Sequence, residues 1–246
     1  MSIRKHIPDS ITSMNLLCGV MGVILTMDGR PDLGFVLMIC GAVFDFFDGL
    51  AARLLKASSG IGKELDSLAD MVSFGVLPSL LLFNLGNSAW GVLRYIPLLI
   101  AVFSALRLAK FNLDERQHHG FIGLPTPASA MICGSLAYYV NSAPEILLST
   151  WCQEPVLIPV LAVALCALLV SEIPMFSMKF GGGNKASRSD VAKRIAFIVV
   201  CVIALVAVLV TKSSWALAVL AAFVGYIVIN LVFALIPDSH LSSCTK

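Results

Sequence analysis

Eight apolar blocks, most of them close to the length of a membrane-spanning helix, run through this chain of 246 residues. A helix that crosses the hydrocarbon core of a bilayer needs about 20 mostly apolar residues. Charged residues make up only 13% of the sequence, whereas soluble domains carry about 25%. The blocks span residues 11–27, 33–54, 65–85, 92–111, 125–140, 156–170, 195–210 and 215–236. We therefore predict an all-α, polytopic membrane helix bundle with about eight transmembrane helices.

The predicted bundle leaves little sequence for a separate soluble domain, so we expect residues 1–246 to form a single integral membrane domain. The first, fifth, sixth and seventh blocks are short, and tilt or flanking polar residues must complete those spans. Residues 141–155 are expected to hold an interfacial turn or a short helix. Residues 191–238 carry the last two predicted membrane helices.

The distribution of basic residues predicts the orientation of the bundle. With eight spans, both ends of the chain lie on the same side of the membrane. Of the 17 lysines and arginines, only Arg30, Arg94 and Lys212 then fall on the opposite side. Because cytoplasmic loops carry the excess of lysine and arginine, we expect both termini in the cytoplasm and the protein in the cell membrane.

Four aspartates interrupt the apolar pattern, Asp45 and Asp48 in the second block and Asp66 and Asp70 in the third. A carboxylate in the middle of a bilayer costs about 2.5–3.5 kcal/mol on insertion scales, so each needs compensation. Residues three or four apart lie on one face of a helix. The short connection between the two blocks makes them antiparallel neighbours, so the two pairs should face each other and form a cluster of four carboxylates.

Such a cluster indicates bound metal, because like charges at close range do not all stay ionised without a cation. Oxygen ligands with no histidine or cysteine nearby suit Mg²⁺ or Mn²⁺ rather than zinc. Four carboxylates suffice for two ions, and two ions can hold a diphosphate during displacement at phosphorus. The alternative is that the aspartates form intramembrane ion pairs or helix caps, but few basic residues lie at the same depth.

Small residues accompany the aspartates at helical spacing. Gly49 and Ala52 lie on or beside the face of Asp48, and Gly62 lies one turn before Asp66. Their lack of bulk leaves room for a flat base and a diphosphate against the backbone. Arg53, at the cytoplasmic end of the second block, is placed to meet a phosphate.

The residues between 45 and 70 read D-x2-D-G-x2-A-R, followed after a short interval by G-x3-D-x3-D, and this pattern resembles the CDP-alcohol phosphotransferase family. The matching positions are Asp45, Asp48, Gly49, Ala52, Arg53, Gly62, Asp66 and Asp70, with no departure. The resemblance implies that Asp45, Asp48 and Asp66 are metal ligands and that Asp70 is both a metal ligand and the general base. It also implies a homodimer.

Further stretches, at 7–12, 15–19, 64–75, 106–112 and 121–128, resemble the membrane-integral branch of this family that uses L-serine as the acceptor. The resemblance covers roughly residues 3–180. It implies that CDP-diacylglycerol and L-serine give phosphatidylserine and CMP, and that Thr12 and Asn15 help to hold the nucleotide. Lys110 stands where the family often has arginine, which keeps the charge but loses a two-pronged hydrogen-bonding group. The predicted CDP-binding residues are Thr12, Asn15, Asp48, Gly49, Ala52, Arg53, Gly62 and Asp66.

A serine acceptor needs a cation for its carboxylate, and Arg107 and Lys110 at the end of the fourth block are the candidates. Their charges are equally explained as cytoplasmic flanking residues of a membrane helix. Residues 123–127 are either a turn into the fifth helix or part of the lining of a pocket.

Other functions remain compatible with parts of this pattern. The same chemistry can use glycerol 3-phosphate or inositol phosphate, since both acceptors are anionic. A cation transporter would explain the buried carboxylates but not Gly49, Ala52 and Arg53, and prenyltransferases space their aspartates differently. The expected partners are the two substrates and membrane lipid, and no nucleic acid is expected to bind.

Overall fold

The computed structural model describes residues 6–57, 60–113, 121–142, 147–176 and 188–235, and every structural statement here refers to them. The first half of the bundle contains α1 (His6–Met27), α2 (Pro31–Leu55), α3 (Gly60–Asp70), a π-helix (Met71–Val76), α4 (Leu77–Leu85), a 3₁₀ segment (Ser88–Leu98) and α5 (Leu99–Leu113). The second half contains α6 (Thr126–Ser142), α7 (Leu147–Gln153), α8 (Leu157–Val170), α9 (Arg188–Thr211) and α10 (Trp215–Leu235). Two short strands, β1 (Phe121–Ile122) and β2 (Pro174–Met175), pair in antiparallel fashion.

The structure confirms an all-α polytopic membrane protein. In the described part of the chain, six helical segments are long and apolar enough to cross a membrane. They are His6–Met27, Pro31–Leu55, Gly60–Leu85, Ser88–Leu113, Val191–Thr211 and Trp215–Ala234. The fifth and sixth predicted blocks are α6, with 17 residues, and α8, with 14 residues. The short helix expected within 141–155 is α7.

Two of the blocks that looked short are longer in the structure. Helix α1 has 22 residues and α9 has 24, because each begins several residues before its apolar block. Polar residues at the start of a helix make the helix longer without adding to the apolar block. The length of the block is therefore shorter than the length of the helix. Six of the basic residues that set the predicted orientation, Arg4, Lys5, Arg116, Lys179, Lys185 and Lys246, lie outside the described residues.

Local signals fix the ends of α2, which carries the first aspartate pair. Pro31 stands in its first turn, where the missing N–H has no helical partner to lose. At the other end Lys56 adopts a left-handed conformation, with φ 50°, and its N–H donates to the carbonyls of Ala52 and Arg53. The chain therefore turns sharply just after the aspartate-bearing half of α2, which brings the start of α3 to the same end of the bundle.

The third span is not a uniform α-helix. Pro78, at the start of α4, has no N–H to donate to the preceding turn. The helix widens into a π-helix over Met71–Val76 directly before it. Within that wide turn the buried Ser73 hydroxyl donates to the carbonyl of Asn15, at 3.0 Å. The residue that immediately precedes the π-helix, Asp70, is thereby held close to α1.

Helix α1 is the element on which the site is assembled, because it packs along α2 and also against α3, the π-helix and α4. Small residues allow this close approach. A Cβ at Gly41 would lie 2.9 Å from Asn15 Oδ1, and a Cβ at Gly19 would lie 3.0 Å from the Ser73 Cα. Larger side chains at either position would push α1 away from the helices that carry the aspartates.

Two apolar clusters hold the bundle together. One joins α2, the π-helix, α4 and α6 through Phe35, Met38, Phe74, Leu77 and Leu81, and the other joins α5, α6 and α8 around Ile100, Ile132 and Leu165. Helix α9 by contrast exposes large aliphatic side chains along much of its length. Exposed apolar surface of this kind is expected where a helix faces lipid tails rather than water.

Candidate active site

Three aspartates converge in the structure as their spacing predicted. Asp45 and Asp48 of α2 and Asp66 of α3 each offer a carboxylate oxygen, and these oxygens all lie within 4.8 Å of one another. Asp48 is buried, with 6% of its surface exposed. We call these three residues the aspartate cluster.

Two buried oxygens of the aspartate cluster lack hydrogen-bond partners among the described residues. Among the described residues, neither Asp48 Oδ2 nor Asp66 Oδ1 has a hydrogen-bond partner, although both atoms are buried. Leaving a buried acceptor without a partner costs about 1–3 kcal/mol, and more when the group is charged. A divalent cation bound between the carboxylates would satisfy both atoms, and a set of oxygens alone is the donor set that Mg²⁺ and Mn²⁺ prefer. The residues therefore fit a hard divalent metal.

Asp70 lies one helical turn after Asp66 and adjoins the aspartate cluster. Its Oδ1 accepts a hydrogen bond from Asn15 Nδ2 at 3.3 Å. It interacts electrostatically with all three residues of the cluster and also with Arg107. Asp70 is thus influenced both by the negative charges of the cluster and by the buried positive charge of Arg107.

An open cavity of about 230 Å³ lies beside the aspartate cluster. It is lined by Pro8, Asp9, Thr12, Asp48, Gly49, Ala52, Ala57, Gly62, Lys63 and Asp66. Six of the eight predicted CDP-binding residues are in this lining. We call it the aspartate cavity.

The two remaining predicted CDP-binding residues lie elsewhere. Asn15 is fully buried and donates to Asp70 instead of lining the aspartate cavity. The Arg53 Nε donates to the carbonyl of Gly49 at 2.9 Å, and the side chain is exposed at the end of α2. Sequence reasoning also missed Pro8 and Lys63, although Pro8 stands one turn before Thr12 and Lys63 directly follows Gly62.

The second predicted site, for the acceptor, is built around a buried arginine. Arg107 is 7% exposed, and its Nη1 donates to Thr126 Oγ1 at 2.7 Å. Its Nε is buried and has no hydrogen-bond partner among the described residues. A guanidinium held in this way in the interior differs from the exposed basic residues that flank membrane helices.

A small pocket with a volume of about 10 Å³, room for about one water molecule, adjoins Arg107. It is lined by Arg107, Lys110, Phe111, Ile122, Leu169, Val170 and Ser171. Lys110 lies at its edge, half exposed, with its Nζ 3.5 Å from Glu172 Oε1. We call this space the Arg107 pocket; it brings together both predicted acceptor-binding residues.

Residues 123–127 both turn the chain and support this pocket. Gly123 has φ +76°, a conformation that glycine adopts without strain, and its N–H donates to the carbonyl of Ile173 at 2.9 Å. The N–H of Leu124 donates to the carbonyl of Leu168 at 2.9 Å. Thr126, at the start of α6, then accepts the hydrogen bond from Arg107. The structure therefore supports the turn, and the linings of the Arg107 pocket and the aspartate cavity include none of residues 123–127.

Polar contacts tie the start of α3 to the end of α5, beside the two spaces. Lys63 Nζ lies 3.4 Å from the carbonyl oxygen of Asn112. The Asn112 side chain in turn donates to Ser67 Oγ at 2.8 Å. These contacts hold the helix that carries Asp66 and Asp70 against the helix that carries Arg107.

Comparison with known proteins gives relatives that match most of the chain. The enzyme named CDP-diacylglycerol–serine O-phosphatidyltransferase in Bacillus subtilis is 34% identical over 173 residues, covering 69% of this chain and 89% of its own. A protein of the same name in Methanocaldococcus jannaschii is 34% identical over 193 residues, covering 72% of this chain and 90% of its own. The archaetidylserine synthase of Methanothermobacter thermautotrophicus is 35% identical over 135 residues, covering 52% of this chain and 56% of its own.

The model of the CDP-alcohol phosphatidyltransferase family matches residues 5–169. That region includes the aspartate cluster, Asp70, Arg107 and all of the residues that line the aspartate cavity, whereas Val170 and Ser171 of the Arg107 pocket lie just beyond it. The match covers well over half of the chain, and the geometry agrees with the motif from which the resemblance was first drawn. The chain therefore belongs to the CDP-alcohol phosphatidyltransferase family.

Proposed function

We propose that this protein is an enzyme that transfers the phosphatidyl group of CDP-diacylglycerol to the hydroxyl of L-serine, giving phosphatidylserine and CMP. The observation that carries the proposal is that Asp70 interacts with the aspartate cluster and also with the buried Arg107. Relatives from a bacterium and an archaeon that match about 70% of the chain bear names that specify serine. A reaction that joins an activated phosphate to a small alcohol that carries a carboxylate requires this pairing of sites.

The metal centre is proposed to consist of Asp45, Asp48 and Asp66, with Asp70 as a further ligand. Its four carboxylates suffice for two ions of Mg²⁺ or Mn²⁺. When bound, the metal would supply positive charge that neutralises the diphosphate and the departing phosphate of CMP. The partnerless oxygens of Asp48 and Asp66 support this role.

The aspartate cavity is proposed to hold the cytidine and diphosphate. Thr12, Gly49, Ala52 and Gly62 present small or hydroxyl-bearing surfaces in its lining. Arg53 is exposed at the end of α2, one turn after Gly49, where it can meet a phosphate. The diacylglycerol chains would remain in the lipid while the polar groups react at this end of the bundle.

Replacing Gly49 with alanine tests whether the nucleotide occupies the aspartate cavity. A Cβ at Gly49 would meet no protein atom within 4 Å, so Gly49→Ala should fold normally. Alanine is also the better helix former, by about 1 kcal/mol. The added methyl group would take up space in the cavity, and we expect the KM for CDP-diacylglycerol to rise by about tenfold, the scale of one misplaced methyl group.

Gly60→Ala is the matched control for that variant. Gly60 is also helical and a Cβ there also meets no atom within 4 Å, but it does not line the aspartate cavity. Gly60→Ala should leave the KM unchanged, as measured by CMP release. Equal kinetics for the two variants would contradict the assignment of the cavity.

The acceptor is proposed to bind at the Arg107 pocket, which must widen to admit it, with its carboxylate toward Arg107 and Lys110. The serine hydroxyl would then face Asp70, which takes its proton. The hydroxyl oxygen forms a new bond to the phosphorus that carries diacylglycerol, and the bond from that phosphorus to the CMP oxygen breaks. CMP leaves with the electron pair of that bond.

Replacing Arg107 with alanine should separate acceptor binding from nucleotide binding. Loss of a hydrogen bond to a charged group costs about 1.5–3 kcal/mol, which corresponds to a rise of roughly tenfold to hundredfold in the KM for serine. The KM for CDP-diacylglycerol should change little. Arg94→Ala is the control. Both arginines lie over an aromatic ring, Arg107 5.8 Å from the centre of Phe111 and Arg94 4.3 Å from the centre of Phe83, but Arg94 does not line the pocket. An equal rise for both substrates would show that Arg107 supports the fold rather than serine.

We further propose a cell-membrane location with both termini and the active site on the cytoplasmic side. The segments next to Arg30 and Arg94 meet at one end of the bundle, since Asn84 Nδ2 donates to the Thr26 carbonyl at 2.7 Å. Lys212 lies at the same end. It is three residues before Trp215, which stacks on Phe35 near the start of α2 with ring centres 5.4 Å apart. Arg53, Lys63 and Lys110 lie at the end that holds the two spaces. Labelling of single cysteines from either side of sealed vesicles tests this orientation.

We also propose that the chain works as a single integral membrane domain in a homodimer, as the family resemblance implies. The relevant measurement is chemical cross-linking of the protein in its native membrane. A cross-linked species of twice the monomer mass is the expected result, and its absence with linkers of several lengths would count against the dimer.

A panel of acceptors tests the proposed reaction directly. CMP release from CDP-diacylglycerol should require L-serine and should be slower by at least about tenfold with glycerol 3-phosphate or inositol phosphate at equal concentration. Turnover with one of those acceptors but not with serine would overturn the choice of acceptor while keeping the chemistry. Divalent-ion flux through liposomes without nucleotide, and no CMP release, would instead indicate a transporter.

A further inference from the structure

Helices α9 and α10 lie beyond the region that the family model matches, which ends at residue 169. Much of α9 presents exposed aliphatic side chains, but one face of α10 is different. Tyr226 and Asn230, one helical turn apart on α10, are both buried, with 4% and 1% of their surfaces exposed. Placing a polar side chain inside a membrane costs free energy unless the side chain has a hydrogen-bonding partner. The partner of Tyr226 and Asn230 therefore indicates the role of this face of α10.

That partner is the backbone of a single residue, Phe176. Asn230 Oδ1 accepts from the Phe176 N–H at 2.9 Å. The Tyr226 hydroxyl donates to the Phe176 carbonyl at 3.0 Å. Asn230 Nδ2 also donates to the carbonyl of Tyr226 at 2.8 Å, which fixes the amide in place. We call the side chains of Tyr226 and Asn230 the α10 clamp.

Aromatic packing reinforces the same attachment. The rings of Phe176 and Tyr226 have centres 5.0 Å apart, and Phe197 of α9 packs against both, at 6.0 Å. Both C-terminal helices therefore contact Phe176. Phe176, the residue directly after β2, is therefore a common contact of α9 and α10.

The segment that ends at Phe176 begins at the Arg107 pocket. Its first residue, Ser171, lines the pocket together with Val170 at the end of α8, and so does Ile122 of β1. Strand β2 pairs with β1, and the Ile173 carbonyl accepts from the Gly123 N–H at 2.9 Å. A shift of Phe176 would therefore be transmitted to two walls of the pocket.

The clamp also lies close to the cation of the pocket. Tyr226 and Arg107 interact electrostatically, so α10 approaches the buried guanidinium as well as the pocket wall. The clamp is thus linked to the Arg107 pocket in two ways, through Phe176 and through the charge of Arg107, and neither of its side chains lines the pocket.

We propose that the α10 clamp is a positioning device for the acceptor: by holding Phe176 it fixes the 171–176 segment, and with it Ser171 and Ile122 of the pocket wall, relative to Arg107 and so sets the affinity for the acceptor. This inference rests on the proposed function in that it takes the Arg107 pocket to be the acceptor site. Tyr226 and Asn230 act through the wall and do not touch the substrate.

Two variants test the clamp. Tyr226→Phe removes only the hydroxyl that donates to the Phe176 carbonyl and keeps the ring packing, so it should fold. Asn230→Leu removes the partner of the Phe176 N–H with a side chain of similar size. We expect each to raise the KM for serine by about tenfold, the scale of an unsatisfied buried group, with the KM for CDP-diacylglycerol and the kcat at saturating serine within about twofold of the unmodified protein.

Trp215→Phe is the matched control. Trp215 anchors the other end of α10, where it packs on Phe35 and Tyr138 with ring centres 5.4 and 5.0 Å apart. A general loosening of α10 would affect the kinetics of this variant as well, whereas a role in positioning the acceptor predicts normal kinetics for it. The thermal unfolding midpoint of each purified variant in detergent is measured beside the kinetics.

The results separate this inference from the proposed function. If the unmodified protein uses another acceptor instead of serine, the proposed acceptor is wrong, and the same KM comparison is made with the acceptor that works. An unchanged acceptor KM in Tyr226→Phe overturns the clamp whatever Asn230→Leu does. So does an equal rise in the KM of both substrates, or a rise as large in Trp215→Phe.

Discussion

Removal of divalent cations should abolish CMP release by this protein, and Mg²⁺ or Mn²⁺ should restore it. The reason is electrostatic: three carboxylates within 4.8 Å of one another, with Asp70 beside them, repel one another and would repel a diphosphate. Only a bound cation turns this cluster into a site for an anion. The measurement is turnover after thorough chelation with EDTA, followed by titration of each metal.

A binding measurement complements turnover, because a ligand that binds only the folded protein raises its stability. At a concentration one hundred times its Kd, a metal would add about 2.7 kcal/mol to the free energy of unfolding. We expect Mg²⁺ or Mn²⁺ to raise the thermal unfolding midpoint of the chelated protein in detergent. Full activity after chelation would contradict the assignment of a metal site to the aspartate cluster.

Asp48→Asn sharpens this test, since Asp48 Oδ2 is one of the two partnerless oxygens. Loss of a charged oxygen ligand should raise the metal concentration needed for half-maximal activity by at least about tenfold, the scale reported for disturbed metal sites. Asp32→Asn is the control, because Asp32 pairs with Arg30 on the surface near the start of α2. Exposed pairs contribute about 0–1 kcal/mol, so this control should keep a normal metal response.

The aspartate cluster could be predicted from the sequence because helical spacing alone places its side chains. Asp45 and Asp48, and Asp66 and Asp70, are separated by nearly one turn, and a short connection brings their helices together. The small residues followed from the same periodicity, and Gly49, Ala52 and Gly62 do line the aspartate cavity. These features depend on local geometry that each helix carries by itself.

The surroundings of Asp70 could not be predicted in this way. Asn15 lies 55 positions earlier in the chain and reaches Asp70 because α1 packs against α3. That approach depends on Gly19 and Gly41 and on the wide turn before Pro78, none of which marks a contact in the sequence. Asn15 was expected to hold nucleotide, whereas its amide donates to the carboxylate of Asp70.

The Arg107 pocket shows the same limit. Its two cations were found from their position at the end of an apolar block, but burial distinguishes them only in three dimensions. Arg107 is 7% exposed and bonded to Thr126, whereas Lys110 is half exposed beside Glu172. Ile122, which also lines the pocket, belongs to β1, and β1 pairs with a strand more than 50 positions later in the chain. Helix α10, near the far end of the chain, holds that second strand through Phe176.

Asp70→Asn should lower kcat by at least about 10²-fold, the usual scale for the loss of a general base. The substitution preserves size, and the remaining carbonyl oxygen can still accept the hydrogen bond from Asn15 Nδ2. The fold and the position of the side chain should therefore survive while the group that accepts the serine proton is lost. Binding of CDP-diacylglycerol should stay within about tenfold of normal, since the aspartate cavity is lined by other residues.

The two roles proposed for Asp70, metal ligand and base, predict different responses to added metal. If the loss arises from weakened metal binding, a high concentration of Mg²⁺ or Mn²⁺ should restore turnover, as it should in Asp48→Asn. If Asp70 is the base, saturating metal leaves kcat low, because no added cation accepts the serine proton. We expect the second result, with binding and turnover measured on the same purified protein and Asp32→Asn as the control. A near-normal kcat in Asp70→Asn would remove Asp70 as the base, and the proton would then have to pass to another carboxylate or to water.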